Sequence, residues 1–280
     1  MQDAIIKTVA NRVGFRIERP VPGADSDKVT ALHLYLQGLA AVRADFNEDV
    51  AEYNLRLNLE AIEVDPDAPY GYIGVGHAHR VAAVFGWMGL DPDAALKTAI
   101  EMANKALELA PEEPEVHYLL GRVHQELGNQ EGAMAAYDKA IALNPSNTQY
   151  LSGSTVPMLY TGRTQEAIDR LNAAKGIDPF HGDGVYWQMG WALWEIGDCE
   201  GARDAMLSMH AQRRAAKRMV AEIYACLGEV DKAQDAYQLF YSEAKEPTIA
   251  EQRAEWEGVW TASGSLDRWL DHMRIAGMKD

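Results

Sequence analysis

The 280-residue chain lacks any basic surplus: 26 Lys and Arg stand against 42 Asp and Glu, a formal net charge of −16. A nucleic-acid partner needs a basic face that releases counterions from phosphates, so that class is excluded, and anionic membrane surfaces are disfavoured for the same reason. Long apolar runs are missing too. None approaches the ~18 residues of a membrane span. Residues 1–15 alternate polar and apolar side chains instead of forming a signal-peptide core. Strand-like alternation is almost absent. There are only two cysteines, Cys199 and Cys226, 27 positions apart in no metal or redox spacing. They read as two small buried thiols of a reducing compartment. These absences together predict a cytoplasmic protein with no nucleic-acid or membrane partner.

What is present is a period. Pro111, Pro145 and Pro179 lie 34 residues apart, with small and large residues at fixed offsets before each. The segment from Pro114 to Pro145 carries His117, Leu120-Gly121, His124, Ala133, Tyr137, Ala140 and Pro145 in the order of a tetratricopeptide repeat (TPR), which it resembles. Gly121 and Ala133 are expected where two helices cross, Tyr137 in the gap to the next pair, and Gly128-Asn129 at the turn.

Neighbouring units extend the pattern. Before Pro111 a second helix is predicted from Asp91-Pro92, with Ala95, Ala99, Ala103 and Ala106 inside. Pro66 and Pro111 are 45 residues apart, which places an insertion at 82–90 that should extend the preceding helix and fold back over the array. An earlier pair is expected at 29–42 and 50–64. After Pro145 the first helix is poor: Pro157 should kink it or delay its start, at a cost of about 3 kcal/mol in a helix interior. Two more pairs follow, around Tyr186–Ala202 and Val220–Tyr237. Beyond Lys245 the period stops. Thr248 is expected to cap a helix carrying Trp256, Val259 and Trp260, and Ser265 another with Leu266, Trp269, Leu270 and Met273 on one face. The fold expected is all-α: a TPR helix-pair solenoid, a right-handed superhelix of about six pairs. Its organisation is an N-terminal helix and linker (1–27), the solenoid (28–245) and C-terminal capping helices (246–280) that cover the last apolar face.

Three segments carry a finer resemblance: Gln2-Asp3-Ala-Ile-Ile-Lys-Thr-Val-Ala, Tyr186-Trp187-Gln188-Met189-Gly190-Trp191-Ala192, and Leu266 through Gly277-Met278. They resemble the C-terminal TPR region of bacterial class III adenylate or guanylate cyclases, and a related region that follows winged-helix domains in some transcriptional regulators. The resemblance implies the regulatory half of a signalling protein, with an attached or separate output domain. Class III cyclase chemistry needs metal-holding aspartates on a mixed sheet, which an all-helical chain does not supply. No catalytic residue is carried over, and the chain is expected not to be an enzyme, with no cofactor and no metal.

Other chemistry is thin. Gly71, Gly74 and Gly76 do not have dinucleotide spacing. His77 and His79 are two apart, which favours an interhelix or surface role over zinc. His117 and His124 occupy consensus aromatic places and read as core histidines. Ser152, Ser154 and Thr155 have no triad partner in sequence. Arg213, Arg214, Lys217 and Arg218 read as a solvated basic face. TPR groove positions map to Tyr118, Arg122, Gln125 and Glu126 in one unit and to Trp187, Trp191, Trp194 and Glu195 in another. A peptide-carboxylate clamp would need Lys, Asn and Arg at Gly71, Val75, Tyr118, Arg122, Ser152 and Val156, and only Arg122 fits. The three tryptophans form one stripe, either exposed as a binding anchor or covered by the C-terminal helices. The expected function is a non-catalytic module for a protein or peptide partner. Alternatives are small-ligand sensing in an aromatic pocket between the stripe, Phe85 and Trp87 of the insert, and the C-terminal helices, or a free-standing adaptor.

Overall fold

Pro69, Pro92 and Pro114 each stand in the first turn of a helix, where the missing N–H costs no intrahelical bond. The computed structural model describes residues 26–210, 214–241 and 246–280, and every regular element among them is an α-helix. In chain order these are α1 (Ser26–Ala44), α2 (Glu48–Val64), α3 (Pro69–Phe85), α4 (Pro92–Leu109), α5 (Pro114–Glu126), α6 (Gln130–Leu143), α7 (Thr148–Gly153) and α8 (Thr155–Tyr160). They continue with α9 (Thr164–Ile177), α10 (Asp183–Glu195), α11 (Cys199–Leu207), α12 (Arg214–Cys226), α13 (Val230–Tyr241), α14 (Ile249–Trp256) and α15 (Ser265–Ala276). The expected N-terminal helix, with the first segment of the cyclase resemblance, lies outside the described residues.

Packing joins the helices in consecutive pairs: α1 with α2, α3 with α4, α5 with α6, α8 with α9, α10 with α11 and α12 with α13. Short Asx-capped turns set the pairing. Asn47, Asp91, Asn129 and Asp198 each accept the backbone N–H three residues on, at 2.9–3.0 Å, and so start the second helix of four pairs. Such a cap contributes about 1 kcal/mol. Gly128 and Gly197 precede two of these caps at φ 74° and 83°, the left-handed conformation that ends a helix. At the α5–α6 crossing a Cβ on Gly121 would sit 2.9 Å from the Tyr137 ring, so the glycine is required by contact. The second helices present short side chains inward: Ala95, Ala99, Ala103 and Ala106 on α4, and Ala133 and Ala140 beside Tyr137 on α6, all buried.

The chain divides into two compact units, 1–150 and 151–280. The C-terminal helices belong to the second, where α15 packs on α12 and α13. The insertion does lengthen α3, to 17 residues against 13 in α5, until Gly86 ends it at φ 67°. It then packs on a preceding loop: Phe85 and Trp87 stack at 4.9 Å and both meet Phe46 at 5.1–5.2 Å. Pro157 splits its helix in two. Ser154 Oγ donates to the Leu151 carbonyl and Thr155 Oγ1 to that of Ser152 at the break, both 2.7 Å, and Pro157 falls early in α8 where it is tolerated.

Three expectations are corrected. Cys199 opens α11 and Cys226 closes α12, half-buried with Cα atoms 6.1 Å apart, and they form a disulfide instead of two separate buried thiols. Thr248 caps α14 through a full capping box, but α14 ends at Trp256, leaving Val259 and Trp260 in the turn beyond. Ser265 does not cap α15; its hydroxyl donates to Glu195 at 2.7 Å.

Candidate functional site

Two clusters hold the groove residues, one in each unit. In 1–150, α3, α5 and α7 share a polar face. Tyr118 is buried, with its ring 5.0 Å from Tyr150 and 5.7 Å from Tyr137, and its hydroxyl accepts from Gln149 at 3.3 Å. Gln125 accepts from the Tyr137 hydroxyl at 3.2 Å. Glu126 is shared by two guanidiniums, Arg80 at 3.1 Å and Arg122 at 3.8 Å. The Nε atoms of both arginines are buried without a hydrogen-bond partner. Burial, and then the nearby Arg122 charge, lower the Arg80 pKa. One turn away, His77 lies 3.3 Å from Glu115, whose other oxygen accepts from the Tyr150 hydroxyl at 2.7 Å; burial keeps the His77 pKa below its ordinary value. His77 is thus interhelical.

His117 and His124 are not core residues. His117 Nε2 pairs with the Pro111 carbonyl at 2.7 Å and His124 with Asn129 at 3.4 Å, both half-buried. Phe85 is half exposed, and Phe85 and Trp87 belong to the Phe46 cluster of this unit.

In 151–280 the tryptophan stripe is divided. Trp194 is fully buried: its Nε1 donates to His272 Nδ1 at 3.0 Å and the Arg268 guanidinium lies over its ring at 4.5 Å. Trp191 is buried and donates to Glu195 at 3.2 Å. Glu195 also takes Ser265 at 2.7 Å and Arg268 at 2.6 Å, so α10 and α15 are joined by one carboxylate; burial raises its pKa and those partners oppose the rise. Trp187, a turn earlier, is only half-buried. These two tryptophans seat the C-terminal helices, and Trp187 stands at the margin.

Beside them lies a small cavity of about 30 Å³. Its aromatic walls pack edge to face: Tyr160 against Trp191 at 4.9 Å and Trp260 at 5.8 Å, Trp187 against Trp191 at 5.7 Å, and Trp260 against Trp191 at 5.6 Å. Trp256 stacks on Tyr160 at 5.7 Å, and Trp269 stands 5.9 Å from Trp260. The loop after α14 is fixed there by Thr261 and Ala262, whose N–H groups donate to the Tyr160 carbonyl at 2.8 and 2.9 Å. Glu222, 2% exposed, is the buried charge, accepting from Trp269 Nε1 at 2.6 Å, with Arg218 at 3.6 Å. Arg218 is therefore turned to this cluster and is not part of a solvated basic face; Arg213 lies outside the described residues.

Burial pushes the Glu222 carboxyl up to about 7, against the pull of Arg218 and the Trp269 N–H, with Glu195 adding to the rise. The unfolded chain returns it to about 4.5, so between these values the folded state holds a proton that the unfolded state releases. Stability from this group is therefore full below pH 4.5 and falls as pH rises to about 7, by about 3 kcal/mol. Glu222→Gln is expected to remove that slope, leaving the variant the more stable protein at pH 8. Urea unfolding at pH 5 and pH 8 checks this, and an identical stability difference at both pH values would contradict it.

Sequence reasoning missed Arg80, Glu222, Tyr160 and the wall role of the C-terminal tryptophans. Among the described residues no helix is long and apolar enough to cross a membrane, and no group of three or more His, Cys, Asp or Glu is placed to hold a metal.

Known proteins match this arrangement. The tetratricopeptide repeat family matches residues 114–147, which are α5, α6 and their flanks. BBSome complex member bbs-4 of Caenorhabditis elegans is 35% identical over 66 residues, 24% of this chain, and the match spans only 14% of that relative. Pseudomonas aeruginosa pilF superposes on 83% of this chain and all of its own with a TM-score of 0.54 at 15% identity. The APC/C hetero-tetramer Cut9-Hcn1 covers 89% of this chain and 53% of that one, with a TM-score of 0.58 at 12% identity. One repeat, residues 114–147, is thus matched in sequence to the tetratricopeptide repeat family, and the helix pairs before and after it share the fold of the tetratricopeptide-repeat solenoids.

Proposed function

We propose that the chain is a non-catalytic protein-binding module that receives a partner peptide along the face shared by α3, α5 and α7. One observation carries this reading: Arg80 and Arg122 share a single carboxylate, Glu126, and keep buried Nε–H groups unmatched. An unmatched buried donor costs about 1–3 kcal/mol, which an incoming carbonyl or carboxylate recovers. Tyr118 and Gln125 flank that position. Membership of bbs-4 in a protein complex is in keeping with the reading. Selection of displayed peptides on the full chain tests it. Enriched sequences are expected to lose binding at least tenfold to Arg122→Ala, at a half-buried position. Unchanged binding by that variant would contradict the reading.

At a finer level, the module serves as the regulatory region of a cyclase-like signalling protein, supported by the resemblance at 186–192 and 266–278 and, outside the described residues, at 2–10. A free-standing adaptor would use the same face. A second reading, small-ligand sensing in 151–280, is favoured by the aromatic cavity at Glu222, although Phe85 and Trp87 are held with Phe46 in the other unit.

A further inference from the structure

The geometry points to a small methylated ammonium ion as the ligand of the aromatic cavity, held by cation–π contact with its indole walls and by the Glu222 carboxylate. The inference rests on the small-ligand reading and adds the chemical class. Rings dominate the walls, and a ring face attracts cations through its quadrupole, most strongly for tryptophan. A cation already uses one of these walls: Arg218 stands 5.5 Å from the centre of the Trp269 ring while 3.6 Å from Glu222. Its side chain is 31% exposed, so it is anchored less firmly than the buried Glu222.

The inventory of polar atoms selects among cations. A primary ammonium brings three N–H donors that need acceptors. Around this cavity donors are in surplus: the indole N–H groups of Trp187, Trp256 and Trp260 are buried without a partner, Trp269 already donates to Glu222, and Arg218 is another donor. Glu222 is the one carboxylate in the lining. A methylated ammonium brings charge and apolar surface but no donor, so it suits rings that offer faces and no acceptor. A hydroxyl or carboxylate tail on such a ligand would give the unmatched indole N–H groups an acceptor. Electrostatics agree, because a buried acid whose pKa is raised regains its charge when a cation arrives.

Calorimetric titration of the full chain with choline and with its neutral carbon isostere, 3,3-dimethylbutan-1-ol, tests this. Choline is expected to bind at least tenfold tighter than the isostere, about 1.4 kcal/mol in favour of charge. Glu222→Gln, which keeps an acceptor for the Trp269 N–H, should weaken choline about tenfold, and Arg218→Met should tighten it severalfold. Trp187→Leu, at the half-buried margin, gives a second loss-of-binding variant should Glu222→Gln fail to fold. A trimethyl-lysine peptide forms the second arm: binding at least as tight as choline assigns the ammonium to a modified partner protein, and binding of choline alone assigns it to a free metabolite. Equal binding of choline and isostere overturns the cation and leaves the ligand reading standing. No binding of either, at millimolar concentration, overturns both.

Discussion

Reduction of the Cys199–Cys226 disulfide, or Cys199→Ser, is expected to destabilise the second unit by about 3–4 kcal/mol, the loop-closure value for a 27-residue separation. The bridge joins the first residue of α11 to the last of α12, so it closes the loop containing the entire α11–α12 connection. In the reduced chain that connection recovers its freedom when unfolded, while the native state changes little. Thermal unfolding with and without reductant checks the value, with a drop of roughly 10 °C expected for a domain of this size. Thiol titration of the denatured, non-reduced chain supplies the direct control. Two reactive thiols, or the same melting temperature under both conditions, would contradict it.

Trp194→Ala is expected to cost about 3–5 kcal/mol, the range for emptying a large aromatic site. Three separate losses coincide there: the fully buried ring, the 3.0 Å bond to His272, and the Arg268 guanidinium stacked at 4.5 Å. Arg268 also bonds Glu195, so its displacement would weaken the carboxylate that ties α10 to α15. Trp194→Phe should recover more than half of the loss by refilling the site, while leaving His272 Nδ1 unmatched. Denaturant unfolding of the two variants checks the order. A loss below 1 kcal/mol for the alanine variant would mean that α15 is held elsewhere.

The repeat was legible because its rules are local. Gly121, Ala133 and Tyr137 are fixed by one helix crossing, Asn129 and Asp198 by one turn, and Pro114 by one helix start; each leaves a mark at constant spacing. Departures from the period were legible as places and not as contacts. Pro157 announced a break, and the break is there, but nothing nearby in sequence tells that Tyr160 would meet Trp256 and Trp260. The pairs that hold the last helix in place are far apart in the chain: Glu222 with Trp269 is separated by 47 residues, Glu195 with Arg268 by 73, and Trp194 with His272 by 78. No period links them, because the C-terminal helices that supply one member of each lie outside the repeat. The disulfide was missed for a related reason. Its spacing matches no motif, and its geometry is set by the turn of α11 against α12, which only packing reveals. Consensus alone misplaced His117 and His124, whose helix-end hydrogen bonds hold them half-buried in positions where an aromatic ring would be drawn inward.

Hydrogen exchange of the full chain, with and without a peptide obtained by selection, tests the central claim that the face shared by α3, α5 and α7 receives the partner. Added protection concentrated in α3 and α5, around Arg80 and Arg122, is the result expected. Protection confined to α2, α4 and α6, with α3 and α5 unchanged, would contradict it.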